Sequence, residues 1–204
     1  MTRIKFCGLT RQEDIVCANE LIPEYIGFVF AKKSRRYISP QQAFALRQEL
    51  NANIKAVGVF VDEAPEAVAR LLENKTIDIA QLHGNETLGY IRNLRSLTDK
   101  PIIQAFAIKT AAAAEIAKRS TADYVLLDAK CGGSGQSFDW NFIQNFNRPY
   151  FLAGGLDEQN IGEALQRLLP YAVDVSSGIE TNGYKDKEKT RAFSDAVRGK
   201  GNRK

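Results

Sequence analysis

Two side chains able to move a proton stand at the ends of apolar runs. Cys7 closes the run Ile4-Lys5-Phe6-Cys7, and Asp128 closes Tyr124-Val125-Leu126-Leu127-Asp128. A free cysteine among apolar neighbours behaves as a small hydrophobe. Beside a cation the same thiol ionises and can serve as base or nucleophile. Side chains alternate along a strand, so Lys5 projects to the same face as Cys7. Asp128 is open to two readings as well: a carboxylate that caps a loop, or a general acid or base in a pocket. His83 is the only histidine and sits at another strand-like end, Gln81-Leu82-His83-Gly84. One histidine cannot build a metal site with others, and no second ligand cluster accompanies it. It reads either as a packing residue or as a polar group of a site.

A second group of residues suits anions. Lys32-Lys33-Ser34-Arg35-Arg36 is a solvated charge run, or else it carries a guanidinium fork that clamps a carboxylate or phosphate. The run by itself does not separate Arg35 from Arg36. Gly154-Gly155 follows Leu152-Ala153, and Ser176-Ser177-Gly178 follows Asp174-Val175. Glycine lets backbone N–H groups approach an anion closely, and serine adds hydroxyl donors. The glycine-rich stretch Lys130 to Asp139 reads as a lid over a site or as an uncommitted surface loop.

These residues need elements to hold them, and the chain supplies a repeating set. Near-continuous apolar runs occur at Ile4–Cys7, Tyr25–Phe30, Ala56–Val61, Ile77–Leu82, Ile102–Phe106, Tyr124–Asp128, Tyr150–Ala153 and Ala172–Val175. Such runs predict parallel strands covered on both faces. Helical patterns fill the gaps at Glu13–Leu21, Gln41–Leu50, Ala64–Glu73, Glu86–Leu97, Ala111–Arg119, Trp140–Phe146, Glu158–Leu169 and Asp186–Arg198. Eight units in 204 residues average about 25 residues each. The alternation predicts an α/β protein, and eight units suit a single compact (β/α)₈ TIM barrel. A doubly wound open sheet usually carries Gly-x-Gly-x-x-Gly after its first strand, and Cys7-Gly8-Leu9-Thr10 lacks it. In a barrel, chemistry sits at the C-terminal strand ends, where Cys7, His83, Asp128 and Asp174 all fall. Phosphate sites use the loops after strands 7 and 8, the places of Gly154-Gly155 and Ser176-Ser177-Gly178.

Composition narrows the class. Hydrophobic residues make up 44% and charged residues 25%, which excludes a disordered chain, a collagen and a disulfide scaffold. The net charge of +4 is scattered, not gathered on an aromatic-studded face, so no nucleic-acid partner is expected. Part of it lies in 198–204, expected to be a basic tail beyond a barrel spanning 1–197. The cysteines are three, Cys7, Cys17 and Cys131, with no Cys-x-x-Cys, which suits a reducing compartment. Apolar runs reach about six residues where a membrane span needs about 20. The expected location is the cytoplasm, with no membrane partner.

Several motifs run in order from residue 5 to about residue 186. They are Lys5-Phe6-Cys7-Gly8-Leu9-Thr10, Gly27-Phe28-Val29-Phe30, Ser34-Arg35-Arg36-Tyr37-Ile38-Ser39, Gln81-Leu82-His83-Gly84 and Leu126-Leu127-Asp128. Gly132-Gly133-Ser134-Gly135, Phe138-Asp139-Trp140, Leu152-Ala153-Gly154-Gly155-Leu156 and Val173-Asp174-Val175-Ser176-Ser177-Gly178-Ile179-Glu180 follow. This ordered set resembles the phosphoribosylanthranilate isomerase family of tryptophan biosynthesis. The resemblance implies a (β/α)₈ barrel that converts N-(5-phosphoribosyl)anthranilate, an aminoaldose, into 1-(2-carboxyphenylamino)-1-deoxyribulose 5-phosphate, an aminoketose. It implies Asp128 as general acid and Cys7 as general base. Arg36 would hold the anthranilate carboxylate, His83 and Asp174 would contact substrate, and Gly154, Gly155, Ser176, Ser177 and Gly178 would bind phosphate. It implies no cofactor and no metal, and a monomer or homodimer. Arg35 departs from the proline or lysine expected there in many relatives, and Cys131 belongs to none of the motifs. Among rivals, a pentose-phosphate epimerase needs metal-binding histidines that this chain lacks. An indoleglycerol-phosphate synthase needs strand-end lysines and glutamates not seen here. A non-catalytic sugar-phosphate sensor has no need of Cys7 and Asp128.

Overall fold

The computed structural model describes residues 1–128, 140–143 and 146–199. The loop expected at 130–139, with Cys131, and residues 200–204 of the basic tail lie outside the described residues. Eight parallel strands close into a barrel in sequence order: β1 (Arg3–Cys7), β2 (Tyr25–Val29), β3 (Lys55–Phe60), β4 (Ile79–Leu82), β5 (Ile102–Ala107), β6 (Tyr124–Asp128), β7 (Tyr150–Ala153) and β8 (Ala172–Val175). The expected TIM barrel is what forms. Closure is made by β1 against β8, where Lys5 pairs with Asp174. On the other side of β1, Cys7 pairs with Gly27 of β2.

The apolar runs are continuous because each strand faces two cores. Ile4, Phe6, Ile26, Phe28, Val125 and Leu127 point outward under the helices. Tyr25, Val57, Ile79, Ile103, Leu126 and Phe151 point inward and fill the lower barrel, so it is packed and not a pore. Above them Cys7, Val29 and Val59 form a small apolar collar at the mouth.

Helices α1 (Gln12–Leu21), α2 (Pro40–Glu49), α3 (Pro65–Glu73), α4 (Leu88–Leu97), α5 (Ala111–Lys118), α6 (Ile161–Arg167) and α7 (Lys187–Arg198) sheathe the sheet. Local capping sets their starts. Ser39 and Gln42 cap each other reciprocally before α2, with Pro40 in its first turn. Asp186 accepts from the N–H groups of Glu188 and Lys189 before α7. Some expected helix bounds need correction, and the helix expected over Glu158–Leu169 begins only at Ile161. Glu86 is not helical: its buried carboxylate accepts from the N–H groups of Asp62 and Gly84, and Thr87 caps α4 instead. Of the helix expected over Trp140–Phe146, the described residues Trp140–Ile143 form a 3₁₀ turn. One element was not expected: a two-residue hairpin, β9 (Glu180–Thr181) with β10 (Tyr184–Lys185), turning on Asn182-Gly183. Both turn residues have positive φ, the requirement of a tight hairpin turn. No helix among the described residues is long and apolar enough to cross a membrane.

Candidate active site

A cavity of about 360 Å³ opens at the C-terminal ends of the strands. Cys7, Arg36, His83, Asp128, Asp174, Gly154, Gly155, Ser176 and Ser177 all line it. Residues from six strand ends, far apart in sequence, are thus brought to one place. Of the residues expected to act on or bind substrate, Gly178 does not line the cavity. It sits in a 3₁₀ turn, Ser177–Ile179, where a β-carbon would run into the backbone carbonyl of Leu156. Its smallness lets the loop after β8 press against the loop after β7.

Cys7 owes its position to Gly27. A β-carbon on Gly27 would lie 2.9 Å from the Cys7 sulfur and 3.2 Å from Lys5 Nζ, too close for either to stay where it is. The strand neighbour therefore vacates the space that the thiol and the ammonium share. Lys5 is wholly buried, and its Nζ donates to Asp174 Oδ1 at 2.9 Å. Burial pulls the ammonium down, yet Asp174 and then Cys7 hold it above its ordinary pKa. Burial pushes the Cys7 thiol up, while Lys5 pulls it back toward ionisation.

Across the cavity stand Gln81, His83 and Asp128. His83 Nε2 lies 3.6 Å from Asp128 Oδ2, and its Nδ1 lies 2.9 Å from Gln81 Nε2. With the Gln81 amide donating, Nδ1 is the acceptor and the ring carries its proton on Nε2, toward the carboxylate. Gln81 is buried, and its Oε1 has no hydrogen-bond partner among the described residues. A carboxyl on one wall and a thiol on the other can exchange protons with two atoms of a small molecule held between them.

The two small-residue loops form the third wall. Gly154 and Gly155 have φ of +102° and +68°, conformations that a side chain would strain. The N–H groups of Gly155 and Ser177 meet no acceptor among the described residues. Ser176 Oγ donates to the Cys7 carbonyl at 3.0 Å, tying this loop to the end of β1. Exposed N–H groups in a glycine-serine concavity are suited to an anion. No group of three or more His, Cys, Asp or Glu side chains among the described residues could hold a metal ion.

The family model described as N-(5'phosphoribosyl)anthranilate (PRA) isomerase matches residues 4–196. The chain belongs to the phosphoribosylanthranilate isomerase family. It is 44% identical to the N-(5'-phosphoribosyl)anthranilate isomerase of a Thermoanaerobacter species, over 98% of this chain and 99% of that one. It is 40% identical to the enzyme of the same name from Streptococcus mutans, over 97% and 100%. The barrel superposes on phosphoribosyl anthranilate isomerase of Thermotoga maritima with a TM-score of 0.90, at 36% identity over 98% of this chain and 100% of that chain. A phosphoribosyl anthranilate isomerase in complex with reduced 1-(o-carboxyphenylamino)-1-deoxyribulose 5-phosphate gives a TM-score of 0.87, at 34% identity over the same shares.

In this isomerase barrel the charged rim is more organised than the motif suggests. Arg36 gives a two-pronged ion pair to Glu180, Nε to Oε1 at 2.6 Å and Nη2 to Oε2 at 2.8 Å. Glu180 also accepts from Lys185 Nζ at 2.6 Å, and Lys185 reaches the Ser176 carbonyl at 2.9 Å. Arg35 lines the cavity too but is exposed. The sequence places Lys5 on the face of Cys7 as a cation that could favour the thiolate, and carries Gln81 and Glu180 within motifs without a role; Lys185 has no signal of its own there. A period of two carries the signal for Gln81, two residues before His83. The signal for Glu180 and Lys185 was Asn182-Gly183, a hairpin pair whose strands are too short to read as strands.

Proposed function

We propose that this isomerase carries out the Amadori rearrangement of N-(5-phosphoribosyl)anthranilate to 1-(2-carboxyphenylamino)-1-deoxyribulose 5-phosphate, a step of tryptophan biosynthesis. The observation that carries it is one cavity shared by the Cys7 thiol, the Asp128 carboxyl and the glycine-serine loops. Asp128, in its protonated form, gives its proton to the ribose ring oxygen. The C1–O bond breaks, and the nitrogen lone pair forms the C1=N iminium. That cation makes the neighbouring C2–H acidic enough for a thiolate. Cys7 takes the C2 proton, the electron pair closes the C1=C2 bond, and the iminium nitrogen becomes neutral. The enolamine then tautomerises: C1 gains a proton and the C2 hydroxyl loses one, leaving the ketone. Each acid or base of this kind contributes ~10²–10⁴-fold.

Binding follows from the rim. Gly154, Gly155, Ser176 and Ser177 take the phosphate, and Gly178 supports them through backbone packing. Arg36, with its plane pinned by Glu180, offers its remaining N–H groups to the anthranilate carboxylate. Its partly buried, anchored position favours it over Arg35. His83 orients Asp128, and Asp174 faces the substrate from β8. Fixing both ends of a flexible molecule holds C1 and C2 between acid and base. A mechanism that needs a free thiol suits a reducing compartment, the cytoplasm.

The test is an assay with freshly formed phosphoribosylanthranilate, following the loss of its fluorescence without added metal. Turnover is expected, together with restored growth of a tryptophan auxotroph lacking this step. No turnover by the folded protein overturns the reading.

A further inference from the structure

Lys5 is a wholly buried cation with an anion partner on one side and a thiol on the other. The register explains why. Lys5 and Cys7 are two apart on β1, so both point into the barrel, and Lys5 stands level with Asp174 of β8. The missing side chain of Gly27 leaves one pocket for the sulfur and the ammonium together. An ammonium has three donors and Asp174 Oδ1 takes one of them.

We propose that Lys5 is a positioning residue that promotes ionisation of Cys7, and that Asp174 opposes it by competing for the same ammonium. The inference rests on Cys7 being the base. With the thiol protonated, Lys5 and Asp174 form a neutral pair. With the thiolate present, the trio carries one negative charge, which only further cations can offset. Arg36 and Lys185 face Cys7 from the rim and share the single carboxylate of Glu180, which leaves one net positive charge there, held in ion pairs that point away from the thiol. Asp128 and His83 face it across the cavity. Lys5, which shares the pocket left by Gly27 with the sulfur, is the cation best placed to favour the thiolate. A positive iminium nitrogen in the cavity offsets the field of Asp174, so the thiolate becomes more populated once ring opening has occurred. Asp174 thus restrains the thiolate until the iminium forms.

The test reads the sulfur and needs no turnover. Cys7 is alkylated with iodoacetamide across a pH series and the modified peptide is followed by mass spectrometry, so Cys17 and Cys131 do not contribute. Lys5→Met is expected to move the midpoint of the rate profile up by about one unit or more, and Asp174→Asn to move it down. Lys5→Met leaves a buried carboxylate without its partner and is the variant most exposed to misfolding. The double variant Lys5→Met/Asp174→Asn removes both charges, and its midpoint is expected above that of Asp174→Asn alone. Midpoints that do not move, or that move the same way in both single variants, overturn the proposal. A purely structural ion pair would give that result. A Cys7→Ser variant with normal turnover would instead remove Cys7 as the base, whatever the alkylation shows.

Discussion

Arg36 and Glu180, 144 residues apart in the chain, meet through two parallel hydrogen bonds of 2.6 and 2.8 Å. The fork fixes the plane of the guanidinium at the mouth of the barrel, with Glu180 nearly buried behind it. A hydrogen bond to a charged group is worth about 1.5–3 kcal/mol, so losing the anchor is felt in binding. Glu180→Gln is expected to raise KM about tenfold while kcat changes little, and Arg36→Ala to raise KM further. Steady-state kinetics decide it. A fall in kcat at unchanged KM would mean that the pair serves the chemical step instead.

The same pair makes stability depend on pH. Burial alone would push the Glu180 carboxyl up, but the Arg36 fork and Lys185 outweigh it and hold the pKa below the ordinary 4.5. The unfolded chain therefore takes up the proton first as pH falls. The stabilisation is complete above 4.5 and disappears as pH drops through the lowered folded value. Urea midpoints of the wild type and Glu180→Gln are expected to differ at neutral pH and to converge as pH falls below 4.5 and through the lowered folded value. A gap that stays constant from neutral to acid pH would show that the carboxylate charge contributes nothing.

Gly27→Ala tests the space beneath the thiol. The new methyl would meet the Cys7 sulfur at 2.9 Å and Lys5 Nζ at 3.2 Å, so both must shift. Overpacking of this kind costs about 1–3 kcal/mol. The expected result is a folded barrel with a modestly lower urea midpoint and kcat reduced by roughly tenfold or more, since small misplacements of a reacting group are costly. Wild-type kcat would show that the thiol position is not critical.

Cys7→Ser and Asp128→Asn are each expected to lower kcat by at least ~10²-fold with binding of a product analogue largely intact. The serine hydroxyl ionises far less readily than a thiol, and the amide has no acidic proton to give. Calorimetry with the analogue, beside kinetics, separates the chemical loss from a binding loss. Near-normal turnover in either variant takes that residue out of the mechanism.

Much of the fold was legible because its cause is local. Parallel strands buried on two faces must be apolar throughout, and Val57-Gly58-Val59-Phe60 or Val125-Leu126-Leu127 admits few other structures. Strand ends such as Cys7 and Asp128 stood out because a polar or reactive group stopped an apolar run. Boundaries set by side-chain capping were harder, since the Glu86 carboxylate bonds to the backbone of Asp62, which no helical pattern records. The hairpin at Asn182-Gly183 was legible in its turn and lost in its strands, which are two residues each.

The sequence by itself determined the residue types, the alternation that makes a barrel, and the family. It also determined which residues end strands, because side-chain period and hydrophobic burial are properties of neighbours in the chain. Only the tertiary structure decided what those residues meet. Lys5 meets Asp174 across the closure of the barrel, Arg36 meets Glu180 rather than standing free, and Gly178 supports a loop rather than lining the cavity. Charge and hydrogen bonding act over a few ångströms of space without regard to chain separation, so such partners are set by closure and register.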